Sequence, residues 1–204
     1  MSISNTKKAD KTTRLVTLAI LTALIIILQI VSNFIRFGPV QITLALTPVI
    51  IGAALYGMWA GAFLGTALGV VILIWGLCGL DGGFVLALMS VNPVMGVALA
   101  VFKTTFAGLA AGAIYAALSK KNDLAASFIA GALCPIVNTG IFISVMFTVF
   151  FDVLSNYYSL YGEGKTIFAF TISTFVGINF IVELVVNMVL ATAVTRIIRI
   201  AKKK

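Results

Sequence analysis

Apolar residues run through this chain in blocks longer than a soluble core can hide, and polar positions collect at the block edges. The first block, Leu15 to Ile35, follows Lys7, Lys8, Lys11 and Arg14. It is too long for a signal-peptide core and lacks a small-x-small cleavage site, so it predicts a retained helix over 14–35. The stretch 37–80 carries no charge and exceeds one crossing. It divides at Tyr56-Gly57-Met58-Trp59 into short helices over 42–56 and 58–76, each near the lower length limit for a span. Pro93 and Lys103 then interrupt the pattern, so 77–101 reads as an outer, partly re-entrant loop and 102–119 as the fourth helix, with its core at Thr104 to Leu118. The remaining blocks predict helices over 124–150 and 167–200, with further outer loops at 36–41 and 151–166.

Basic clusters mark the cytoplasmic side of a membrane and so constrain the number of crossings between them. The N-terminal group, Lys120 with Lys121, and Arg196, Arg199 and Lys202 to Lys204 all fall on one side if the chain crosses six times. The expectation is an all-α integral membrane protein, one domain over 1–204, with both termini in the cytoplasm. Of the 14 basic residues only Arg36, Lys103 and Lys165 then lie outside, balanced by Asp81, Asp152 and Glu163.

Composition agrees with that setting. Hydrophobic residues make up 61% and charged residues 10% of 204, with mean hydropathy +1.17, against roughly 25% charged in a soluble domain. The net charge of +8 sits at predicted membrane boundaries, where it orients the chain and meets anionic lipid rather than nucleic acid. Cys78 and Cys134 lack metal-ligand or redox spacing and read as packing residues. There is no histidine, P-loop, workable acid pair or nucleophile motif, which argues against an enzyme and implies no metal or cofactor. Any ATP-driven function would need its ATPase on other chains.

Gly57, Gly61, Gly65 and Gly69 recur every four residues, as do Thr104, Gly108, Gly112 and Ala116. Such grooves let helix backbones approach closely. Ala19 and Ala23 form a lighter version on the first helix. Glu183 stands almost alone in the last apolar block, with Asn179 and Asn187 one turn to either side. Residues at i, i+4 and i+8 share a helix face, and a carboxylate at membrane depth is costly unless it faces protein, water or ligand. Asn92 precedes Pro93, and Asn138 and Thr139 follow Pro135, where proline frees a backbone carbonyl. Each Asn alone suits an interhelical hydrogen bond; as a set with Lys103 and Arg36 they suit a binding cavity. Gln41 joins that set from the extended segment Phe37 to Leu44. The aromatic, glycine-containing loop with Tyr157, Tyr158 and Tyr161 is either an interfacial belt or a lid.

Together these features resemble the substrate-binding S-component of an energy-coupling factor (ECF) vitamin transporter. The likeness rests on the basic N-terminus, Ala19 and Ala23, the run Leu46-Thr47-Pro48-Val49-Ile50-Ile51-Gly52-Ala53 with Tyr56-Gly57, the Gly108 to Tyr115 stretch and six helices. It implies capture of a vitamin or precursor at the outer face of a bacterial cell membrane, with release inside after docking to a transmembrane coupling subunit and two cytoplasmic ATPases. It also implies that Ala19 and Ala23 form the docking contact. Ser90-Val91-Asn92-Pro93 and Pro135-Ile136-Val137-Asn138-Thr139 are most similar to pantothenate-type members. Riboflavin, folate and hydroxymethylpyrimidine are the alternative ligands within the family. A different class, a stand-alone proton-coupled transporter of a small organic anion, would use Glu183 as a proton relay.

Overall fold

The computed structural model describes residues 3–34, 43–162 and 164–202, with side chains throughout these except at 3–9, 33, 175–176, 178–179 and 198–202. Its regular elements are all helical: α1 (Ile3–Phe34), α2 (Leu46–Tyr56), α3 (Met58–Leu77), α4 (Phe84–Val91), α5 (Pro93–Leu118), α6 (Asp123–Thr148), α7 (Phe151–Tyr161), α8 (Ile167–Thr171) and α9 (Gly177–Lys202), with a π-helical turn, Ile172–Val176, between the last two. Among the described residues five stretches are long and apolar enough to cross a membrane: Asp10–Ser32, Met58–Leu77, Pro93–Leu118, Asp123–Thr148 and Phe180–Ile197.

Only 11 residues long, α2 rises about 16 Å at 1.5 Å per residue, half of a hydrocarbon core. Leu46 to Ala53 are buried without a break, so the short helix is a core element enclosed by α1, α3, α5, α6 and α9 rather than a lipid-facing one. At Gly57, φ is 87°, a left-handed value that a side chain would disfavour. The chain turns there and sends α3 back alongside α2.

The segment 77–101 differs from the expected loop. Asp81 accepts the N–H of Gly83 at 2.9 Å and of Val85 at 2.7 Å, and these bonds start α4. Asn92 then caps α5 by accepting the Met95 N–H at 3.1 Å. Pro93, read as a breaker, is the first residue of α5, where proline costs no hydrogen bond and its fixed φ suits the first turn. Lys103 does not interrupt that helix either, since lysine is a good helix former. The segment 151–166 likewise contains α7. Residues 36–41, expected as an outer loop, lie outside the described residues.

The closest helix pair is α3 with α5. A Cβ on Gly61 would strike the carbonyl oxygen of Gly108, one on Gly65 that of Thr104, and one on Gly112 the Met58 backbone; on Gly69 it would lie 2.6 Å from Val101 Cα. Glycine is therefore required at this seam by contact, and Thr66 and Thr105 bridge it hydroxyl to hydroxyl at 2.9 Å. With lipid as apolar as the side chains, such packing and hydrogen bonding hold the helices together.

Gly65→Ala should destabilise the protein by about 1–3 kcal/mol, the usual cost of overpacking. On α6, Gly140→Ala meets nothing within 4 Å and should leave the thermal melting point in detergent unchanged or slightly raised. Equal melting of the two variants would show that the seam is not tight.

Candidate functional site

At the end of the bundle where α4 and α7 lie, a cavity of about 110 Å³ is lined by residues of α1, α3, α4, α5, α6 and α9. One water needs roughly 10–15 Å³ on this measure, so the space holds several waters or part of a small organic molecule. Its apolar lining includes Ile72 from α3, Phe84 and Leu88 from α4, Leu99 from α5, Phe142 from α6 and Phe180 from α9. Phe84 stacks obliquely on Phe142 and on Tyr157 of α7, each at 6.0 Å between centroids. Through Tyr157, then, α7 buttresses the cavity wall.

Polar groups enter from several elements: Gln29 on α1, Thr43 ahead of α2, Trp75 on α3, Lys103 on α5, Asn138 and Thr139 on α6, and Glu183 on α9. Glu183 and Asn138 are each 5% exposed. The backbone N–H of Thr43 donates to the Glu183 carboxylate. Lys103 faces the same carboxylate electrostatically, and its Nζ lies 5.3 Å from the Phe142 ring centroid, within cation–π range. Asp81 also lines the space, but both its oxygens are engaged at the start of α4.

Three buried polar atoms of this lining have no hydrogen-bond partner among the described residues: Trp75 Nε1, Asn138 Oδ1 and Glu183 Oε1. Buried polar groups are nearly always paired, and each exception calls for a water, an ion or a function. All three converge on one cavity.

Local sequence explains how these groups come together. Pro135 lies inside α6 and cannot donate to the carbonyl one turn earlier, at Gly131. A Cβ on Gly131 would sit 2.8 Å from Met188 Cα, so glycine there lets α9 approach α6 closely. Asn138 and Thr139 follow one turn later. On α9 the π turn stands just before Phe180 and Glu183; such turns shift helix phase and recur at functional sites.

The cavity thus gathers Lys103, Asn138, Thr139 and Glu183 from the residues expected on sequence grounds. It does not gather all of them. Asn92 is the cap of α5. Asn187, fully buried, accepts from Thr47 Oγ1 at 2.8 Å and donates to the Glu183 backbone carbonyl at 2.7 Å, so it joins α2 to α9 instead of lining the cavity. Arg36, Gln41 and the side chain of Asn179 lie outside what is described. Sequence reasoning missed Gln29, Thr43, Trp75 and Asp81. Gln29 had a signal, a lone amide within the apolar run Leu24 to Val31, of the kind that singled out Glu183. Trp75 had none. Elsewhere, Val16, Ala19, Ala23, Ile26 and Ile30 share one face of α1, all exposed.

Comparison with known families places residues 13–198 under the description ECF transporter, substrate-specific component. No curated protein and no solved structure matches the chain. Since the match spans nearly the whole sequence, the chain belongs to the family of ECF transporter substrate-specific components, and it is a multi-pass membrane subunit of a transporter.

The α2–α9 junction has its own test. Thr47→Val keeps the shape but leaves Asn187 Oδ1 without its donor. It should lower stability by about 0.6–2 kcal/mol, the range for interhelical hydrogen bonds in membranes, read as an earlier thermal unfolding transition. An unchanged transition would mean that this bond holds nothing.

Proposed function

We propose that this chain captures a vitamin at the outer face of the bacterial plasma membrane and releases it inside when docked to an ATP-driven coupling module, with pantothenate as the ligand. In this reading the chain crosses six times, α2 included, with both termini cytoplasmic and the α4/α7 end outward. The observation that carries it is the cavity, lined by Lys103 and by three buried polar atoms without partners among the described residues, in a chain of the substrate-specific family.

The chemistry of pantothenate suits that lining. Its carboxylate is an acceptor for Lys103, and its hydroxyl and amide groups can donate to Glu183 and Asn138. Its branched carbon meets the wall of Phe84, Leu88 and Leu99. Thr139 completes the polar side, while Arg36, Gln41 and Asn179 remain candidates on sequence grounds. The exposed stripe of Ala19 and Ala23 on α1 is the proposed docking face for the transmembrane coupling subunit, small residues there permitting close backbone approach. Two cytoplasmic ATPases would drive that subunit.

Calorimetry of the purified chain with pantothenate tests the ligand. Lys103→Met should weaken binding by about one to two decades, since a hydrogen bond to a charged group contributes roughly 1.5–3 kcal/mol. Unchanged affinity would remove the lysine–carboxylate pairing. In vesicles, the unmodified chain without its partners should bind but not accumulate pantothenate. Solitary uptake would instead support a proton-coupled carrier with Glu183 as relay.

Docking is tested separately. An Ala19→Trp, Ala23→Trp variant should bind pantothenate normally yet fail in uptake with the coupling module present. Full uptake by that variant would place the docking face elsewhere.

A further inference from the structure

The chain has two tryptophans, at opposite ends of α3, in opposite settings. Trp59 is 72% exposed, an ordinary position for the amphipathic rings that mark membrane interfaces. Trp75 instead lines the cavity, and its indole nitrogen is buried without a partner among the described residues.

We infer that Trp75 is a specificity-determining residue: its indole N–H donates to an acceptor oxygen of the ligand and sets which end of the ligand lies against α3 and α5. The inference rests on reading the cavity as the capture site. Among the polar atoms of the lining the indole nitrogen has an unambiguous sign, because it can only donate, whereas an Asn amide can present either face and a carboxyl group can accept or, when protonated, donate. It is also firmly placed. The glycine seam and the Thr66–Thr105 bridge lock α3 to α5, the helix that carries Lys103.

The donors Trp75 and Lys103 therefore arrive from one tightly joined helix pair. The carboxylate of Glu183 arrives from α9, on the other side of α6. A cavity divided in this way selects a two-ended molecule, with a carboxylate or carbonyl at the α3/α5 wall and hydroxyl or N–H groups toward Glu183. A cationic end is disfavoured at the α3/α5 wall, where Trp75 and Lys103 are both donors.

The two indole N–H resonances of the ¹⁵N-labelled chain in detergent give a direct readout. Trp75→Phe and Trp59→Phe each remove one signal and so assign both, even if one variant folds poorly. The probes are pantothenate, its alcohol analogue panthenol, riboflavin, folate and hydroxymethylpyrimidine, with binding scored independently by calorimetry. A probe that binds should shift the Trp75 resonance and leave that of Trp59 in place. Trp75→Phe, which keeps an aromatic ring, should weaken that probe by about 10- to 100-fold if the acceptor is a carboxylate and about 2- to 10-fold if it is a carbonyl.

Failure of pantothenate with success of another probe would end the pantothenate assignment and still support Trp75. If pantothenate bound while the Trp75 resonance stayed still and Trp75→Phe kept full affinity, the inference on Trp75 would be overturned and the ligand assignment would stand. Binding by none of the five probes also counts against it, since all carry acceptors that the indole should read.

Discussion

Inside a bilayer no solvent completes a hydrogen bond, so every polar group must find its partner within the protein or in a ligand. The rest of this structure follows from that constraint. Backbone groups are satisfied by helices. The short helix α2, buried without a break from Leu46 to Ala53, is enclosed by five neighbours. Side chains obey the same rule: Asn187 spends both ends of its amide on Thr47 and on its own helix, and Asp81 spends both oxygens on the start of α4. Against that background, three atoms around one cavity that lack a partner among the described residues are significant.

The cavity is possible because one part of the bundle is held very close. Glycines along α3 admit the backbone of α5 to contact distances that any side chain would prevent. Toward the α4/α7 end the interior is filled differently. Phe142, Met146, Phe150, Leu154 and Phe170 form a separate apolar cluster, and bulky rings there hold the helix ends apart where glycine elsewhere draws them together. The polar lining lies between a tight glycine seam and this aromatic cluster.

Legibility in the sequence varied with the kind of signal. Glu183 was conspicuous because a lone charge in an apolar block has a free-energy cost that must be justified. Gln29 offered a weaker version of the same signal, and Trp75 offered none, being itself largely apolar. The segment 77–101 was misread because Pro93 and Lys103 look like interruptions in a hydropathy pattern. Whether proline ends a helix or begins one depends on the residue before it, and Asn92 is a capping residue whose side chain takes the Met95 N–H.

By itself the sequence determined that this is a helical membrane protein, because block length and charge placement are local along the chain, and its likeness over residues 13–198 carried the family. Which asparagine faces the cavity was not local. Asn92, Asn138 and Asn187 look alike in sequence, each beside a proline or a buried carboxylate. Only the tertiary structure assigned the first to a cap, the second to the cavity and the third to the α2–α9 junction, because the partner that claims or spares a polar atom comes from a helix distant in sequence or from a particular backbone geometry. Thr47 lies 140 positions from Asn187, and no spacing along the chain announces that they meet.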